Sequence, residues 1–255
     1  MYNQSVVTIL AKILEKFTIE IIPTFPMFMR TPLYLNILKF RKVKDRLRLD
    51  VTKKNPTFED RLDYALDSRA NLNNSGEKLH NFNSNVVLEE IKDGPVKIYK
   101  FIPPNSSKDK YGIYFHGGGY FAGSITSHKN LISQISNDSN LIVYFFEYRL
   151  SPEYNFPSAH EDAKLAVDFI KALHPDDQSI WIGESAGGGL ATGLVVDKEY
   201  LEKPDNLILL SPWLDLSDNF EDKKFFKNSD VTIIIEGMYE VCLLYTSPSP
   251  RDNTG

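Results

Sequence analysis

The chain has 255 residues, of which 42% are hydrophobic and 12% aromatic, enough to bury a sizeable core in one large α/β domain with an accessory segment. A formal charge of −5 and a pI near 5.6 leave no broad electrostatic footprint for nucleic acid. The only cysteine, Cys242, excludes an intramolecular disulfide framework and does not point to secretion.

Val6–Ile22 reads VVTILAKILEKFTIEII. Lys12, Glu15, Lys16 and Glu20 interrupt it, so no run approaches the roughly 20 apolar residues that span a bilayer. Apolar residues at 6, 9, 10, 13, 14 and 17 fit one face of an amphipathic helix, with core or cap packing as the first reading and peripheral membrane contact as the second. The segment lacks the clean apolar stretch and cleavage site of a signal peptide, which makes the cytoplasm the expected location. Pro23, Pro26 and Pro32 break the pattern that follows, and KFRKVKDRLR at 39–48 reads as the solvated face of a helix. The polar stretch NLNNSGEK at 71–78 predicts a loop.

From Asn85 the texture changes to β-rich runs: VVLEEI, VKIYKFI after Gly94-Pro95, YGIYFH, LIVYFFEY, SIWIGE and NLILLS. Helix-like segments at about 127–137, 158–173 and 187–197 lie between the last four. Apolar strands alternating with helices predict a mostly parallel sheet covered on both faces, preceded by an antiparallel hairpin. No internal repeat is present.

Two glycine-rich motifs then fall at carboxyl ends of parallel strands, where such sheets place their active sites. GESAG at 183–187 matches GxSxG, a sharp strand-to-helix turn that exposes a strained serine. Side chains at Gly183 or Gly187 would collide with the turn or the neighbouring strand. HGGG at 116–119 follows an earlier strand of the same sheet, and a glycine run lets backbone N–H groups approach a substrate oxyanion. Each motif alone also fits an ordinary glycine turn, but both at strand ends of one sheet point to acyl transfer.

With HGGGYFAGS at 116–124, EYRLSPEYNFPSAHEDA at 147–163, GESAGG at 183–188 and LSPWLDLS at 210–217, the chain resembles the hormone-sensitive-lipase-like (bacterial family IV) carboxylesterases of the α/β-hydrolase fold. The resemblance runs from about Asn85 to about Leu216. It implies a serine hydrolase of short to medium acyl esters working through an acyl-enzyme, without a metal or organic cofactor and with a small-molecule ester as its partner. Ser185 would be the nucleophile. Gly117, Gly118, Gly119 and Ala186 would form the oxyanion hole, with Gly117 shaping the loop and the other three supplying N–H groups. His116 would support that loop and not act as base, since these enzymes run Ser, then Asp or Glu, then His. Glu184 would support the nucleophile from behind, and Arg149 and Glu153 would pair with each other or with neighbouring backbone to position the site. His160 is expected to cap a helix or lie at the surface, and Trp213, Phe25 and Phe28 are candidates for the acyl pocket.

All five histidines precede Ser185, and Asp197, Asp205, Asp215, Asp218, Asp222 and Asp230 lie outside the family's DPLxD-like setting. The stretch CLLYTSPSPRD at 242–252 matches the in-frame translation of a transposase-type sequencing adapter. The expectation is therefore a helical cap and lead-in over 1–84, a C-terminally truncated catalytic domain over 85–241 whose sheet lacks its last strands, and a non-native tail over 242–255. Such a chain would be marginally stable and slow. The rival reading is a noncatalytic small-molecule-binding protein on the same fold, as in the plant gibberellin receptors that resemble this family.

Overall fold

The computed structural model describes residues 57–79 and 81–214. The expectations for Val6–Ile22, Phe25, Phe28, 39–48, the four aspartates from Asp215 on, Cys242 and the tail lie outside the described residues. The chain divides into two compact units, and the described residues from Leu62 to Leu214 belong to one of them.

The elements in chain order are α1 (Phe58–Leu79), β1 (Val87–Ile91), β2 (Lys97–Ile102), β3 (Lys110–Phe115), α2 (Ile125–Ser139), β4 (Ile142–Glu147), α3 (Ser158–Leu173), β5 (Gln178–Glu184), α4 (Ala186–Val196) and β6 (Asn206–Leu210). The six strands lie in the order β1-β2-β4-β3-β5-β6. β1, β2 and β4 pair antiparallel, while β4, β3, β5 and β6 run parallel. Each of the six predicted strands and three predicted helices is present, and the sheet is mostly parallel as expected.

Strand periodicity explains the layers, because alternate side chains face opposite sides of a sheet. Tyr111, Ile113 and Phe115 of β3, Tyr144 and Phe146 of β4 and Trp181 of β5 share one face with Ala163, Ala166, Val167 and Ile170 of α3 and Leu190, Ala191 and Leu194 of α4. Tyr114, Val143, Phe145 and Ile182 take the other face, with Ile132 of α2. Fully burying a side chain of the Val, Leu or Phe type contributes roughly 1.5–3 kcal/mol, so these two layers dominate what holds the strand ends in place. Among the described residues, no helix is long and apolar enough to cross a membrane.

One expectation fails here: 71–78 is the end of α1 and not a loop. Its polar, glycine-containing sequence is a poor helix by local propensity, and tertiary contacts with α2 override that weak preference. Ser124 Oγ donates to Asn73 Oδ1 at 2.7 Å, Asn130 Nδ2 donates to the Gly76 carbonyl at 3.3 Å, and Lys129 Nζ lies 3.7 Å from Glu77 Oε1. Gly76 has to be glycine because a Cβ there would run into the Ser127 backbone.

Candidate active site

β5 ends at Glu184 and α4 begins at Ala186, so Ser185 alone makes the turn, at φ 50° and ψ −117°. A positive φ is unfavourable for a residue with a Cβ, and it persists because three backbone bonds hold it. The Ser185 N–H donates to the Leu210 carbonyl at 3.0 Å, while its own carbonyl accepts from Gly189 N–H at 3.2 Å and Trp213 N–H at 2.8 Å. The flanking glycines have the steric cause expected of them. A Cβ on Gly183 would lie 2.7 Å from Gly188 Cα, and one on Gly187 would meet the His116 carbonyl at 2.5 Å. Ser185 Oγ makes no capping hydrogen bond to the start of α4.

The sheet order brings the second motif alongside. β3 pairs with β5 in parallel, with Phe115 opposite Gly183, so the chain leaves both strands at the same edge. Adjacent strands are about 4.8 Å apart. Gly117 consequently packs on Glu184: a Cβ there would lie 3.2 Å from both the Glu184 carbonyl oxygen and Oε1. Beyond it, φ is positive at Gly118 (118°), Gly119 (62°), Tyr120 (64°) and Gly123 (110°). The loop's carbonyls are committed to the scaffold. His116 O accepts from Tyr148 Oη–H at 2.9 Å, and Gly118 O accepts from Phe121 N–H at 3.2 Å and Ala122 N–H at 2.9 Å. Tyr120 O accepts from Ser151 N–H at 2.9 Å, and Phe121 O accepts from Arg69 Nε–H at 2.8 Å. Ala186, at the first position of α4, has an N–H without an intrahelical acceptor. The predicted nucleophile and oxyanion donors thus leave two neighbouring strands at one sheet edge.

His116 is wholly buried beneath this loop, stacked on Tyr148 with ring centroids 4.0 Å apart. Its Nδ1 donates to the Gly117 carbonyl at 2.8 Å, and Nε2 has no hydrogen-bond partner among the described residues. Burial, then the nearby His128, push its pKa down to about 3, so the ring is neutral. Glu184 accepts from Tyr114 Oη–H at 2.7 Å and sits 3.5 Å from His128 Nε2. His128, followed by the Tyr114 hydroxyl, holds that carboxyl below its ordinary range against the opposing effect of burial. On its other side His128 Nδ1 lies 2.8 Å from Ser127 Oγ.

Arg149 and Glu153 are not partners of one another. Arg149 grips Asp162, through its own N–H at 2.7 Å, Nε at 2.9 Å and a terminal nitrogen at 2.8 Å, and it reaches Glu161 at 3.0 Å and the Ser158 carbonyl at 3.3 Å. Glu153 instead takes both terminal nitrogens of Arg69, at 2.6 and 2.7 Å. The sequence could not show this, because Asp162 becomes Arg149's neighbour only when the loop folds back on α3, and Arg69 arrives from α1. His160 lies in the first turn of α3, half-buried, where a Cβ on Gly193 would approach its ring to 3.0 Å. Trp213 stands 6.0 Å from the Tyr120 ring.

The two described candidate acids are elsewhere. Asp197 caps the far end of α4 and bonds Lys164 Nζ at 2.7 Å, which lowers its pKa to about 2. Asp205 accepts from Ser179 N–H at 2.8 Å, six residues down β5 from Ser185, or roughly 20 Å along a strand. Among the described residues no group of three or more His, Cys, Asp or Glu could hold a metal ion. His128, Asp162, Tyr148 and Arg69 escaped the sequence reading. Asp162 lies inside the quoted 147–163 segment, whereas His128 and Arg69 carry no local signal.

The alpha/beta hydrolase fold family matches residues 112–254. The chain is 34% identical over 134 residues to the ethyl acetate hydrolase of Pseudomonas putida, covering 48% of this chain and 42% of that protein. It is 30% identical over 161 residues to the arylacetamide deacetylase-like 3 of Mus musculus, covering 58% of this chain and 39% of that protein. A solved structure of a hormone-sensitive lipase from a metagenome library superposes with a TM-score of 0.62 at 26% identity, over 76% of this chain and 71% of that one. The chain therefore spans less than half the length of these two curated relatives. With 112–254 of its 255 residues matched and both glycine motifs at adjacent strand ends, the chain belongs to the alpha/beta hydrolase fold family, alongside esterases and hormone-sensitive-lipase homologues.

Proposed function

We propose that this protein is a serine carboxylic ester hydrolase acting on short to medium acyl esters. The observation that carries the reading is Ser185 at φ 50° and ψ −117°, alone between β5 and α4, with the glycine loop of β3 beside it. Ser185 Oγ attacks the acyl carbon, its proton passes to a base, and the carbonyl oxygen becomes an oxyanion. The N–H groups of Gly118, Gly119 and Ala186 hold that charge; a key donor of this kind is commonly worth about 3–4 kcal/mol of barrier. Collapse breaks the ester C–O bond, the proton goes to the leaving alcohol, and water then releases the acid and restores Ser185. His116, Glu184, Arg149 and Glu153 act by holding the loop and the turn. Every histidine in the sequence precedes Ser185, and His116, His128 and His174 are bonded elsewhere, so the reading assigns no base.

A second reading is a noncatalytic binder of small carbonyl ligands on the same fold. Hydrolysis of p-nitrophenyl acetate by this chain and by its Ser185→Ala variant decides between them. Turnover lost in Ser185→Ala supports the hydrolase. Saturable binding of the ester without turnover, also in a chain extended by the native locus beyond codon 241, supports the binder.

A further inference from the structure

Arg69 holds three separate groups with one side chain. Its Nε donates to the Phe121 carbonyl at 2.8 Å, one terminal nitrogen donates to the Ser151 carbonyl at 2.9 Å, and both terminal nitrogens reach the Glu153 carboxylate at 2.6 and 2.7 Å. Phe121 closes the glycine loop, and Ser151 lies in the loop after β4. These loops also bond each other, through Ser151 N–H and the Tyr120 carbonyl at 2.9 Å. A second contact from α1 lies alongside, the Tyr64 ring 5.7 Å from that of Phe121.

The loop needs such restraint. It carries positive φ at Gly118, Gly119, Tyr120 and Gly123, and Tyr120 has a bulky side chain in that region. Conformations of this kind persist only where the surroundings over-determine them. Three of the loop's fixed carbonyls, at His116, Tyr120 and Phe121, are held from outside it by Tyr148, Ser151 and Arg69. The first two partners come from the β4 end of the sheet, and Arg69 comes from α1, 52 residues before Phe121. A planar guanidinium can bond two carbonyls and a carboxylate at once, which an ammonium on a flexible stem cannot reproduce.

We propose that Arg69 is a positioning residue for the oxyanion loop, and that α1 sets the loop's geometry through it. The role in the reaction rests on the hydrolase reading, whereas the restraint on the loop does not. Glu153 is the counter-anion that orients the guanidinium.

Amide hydrogen exchange of the full chain tests this residue by residue, in Arg69→Met, Arg69→Lys and Glu153→Gln. The reporters are Phe121 and Ala122, which donate to Gly118, and Ser151, which donates to Tyr120. The references are Gly189, which donates to Ser185, and Asp205, which donates to Ser179. Arg69→Met should speed exchange at the three reporters about tenfold or more with the references unchanged, as befits a local opening. Arg69→Lys should fail to restore protection, and Glu153→Gln should give a smaller increase at the same amides. If p-nitrophenyl acetate is turned over, kcat should fall in Arg69→Met with KM nearly unchanged, the pattern of a transition-state interaction. Unchanged reporters, equal acceleration of reporters and references, or full rescue by lysine would each overturn the proposal. The exchange pattern without ester turnover leaves the loop restraint standing, and the hydrolase reading fails separately if a chain extended by the native locus beyond codon 241 also turns over no ester.

Discussion

Replacing Ser185 by glycine should stabilise the chain relative to replacing it by alanine. Both variants delete the same hydroxyl, which makes no capping hydrogen bond to α4, so that loss cancels between them. What differs is the backbone. At φ 50° and ψ −117° a Cβ is strained, at a cost on the order of 1–3 kcal/mol that glycine does not incur. Against this, glycine gives the unfolded chain more freedom than alanine, worth about 0.5–1 kcal/mol in the opposite direction. The strain is the larger effect, and Ser185→Gly should exceed Ser185→Ala by about 1–2 kcal/mol. For a domain of this size that is a difference of several degrees in Tm, at about 2–4 °C per kcal/mol. Urea titration with equal m-values gives the difference directly as a shift in midpoint. If Ser185→Gly proves no more stable than Ser185→Ala, the strain assigned to the turn is absent.

His116 makes stability fall as pH drops. Its folded pKa of about 3 lies far below the roughly 6.5 of an unfolded histidine, so between those values the unfolded chain binds a proton that the folded chain refuses. The stabilisation is complete above about pH 6.5 and is lost progressively toward pH 3, with half-buried His160 acting in the same direction. His116→Gln should flatten the slope of unfolding free energy between pH 6.5 and 4.5, a window above that in which Glu184 titrates; an unchanged slope would contradict the buried neutral ring. In a third test, Asp162→Asn should cost about 2–3 kcal/mol in chemical denaturation, because it leaves Arg149 facing an amide at a buried position. Glu161→Gln, at the exposed arm of the same guanidinium, should cost about 1 kcal/mol or less, and the reverse ranking would refute the assignment of partners.

The strands were legible because burial on both faces demands continuous apolar runs such as IVYFF, and no tertiary information is needed to see them. The elbow and the glycine loop were legible for a related reason: only glycine tolerates the backbone approach at 183 and 187 or the positive φ at 118, so the steric demand is written as residue identity. Ser185 and the HGGG loop therefore appear in the chain before any coordinates do. Which strands lie side by side is not written locally. Placing β4 between β2 and β3, and β3 against β5, is what brings the loop to the elbow, and that order is chosen by how helices α2, α3 and α4 cover the two faces.

The polar partners depend wholly on that assembly. Arg149 lies four residues from Glu153 but pairs with Asp162, because a charge selects whichever opposite charge the folded loop presents, at a distance of ångströms and not of residues. His128 meets Glu184 across 56 positions, and Arg69 meets Glu153 across 84. The end of α1 makes the same point in the backbone: 71–78 has the composition of a loop, and only its seat on α2 makes it a helix. Local sterics and hydrophobic periodicity act over a few residues and leave a readable trace in the chain, whereas ion pairs, strand order and context-dependent helices come into being only when distant segments are packed together.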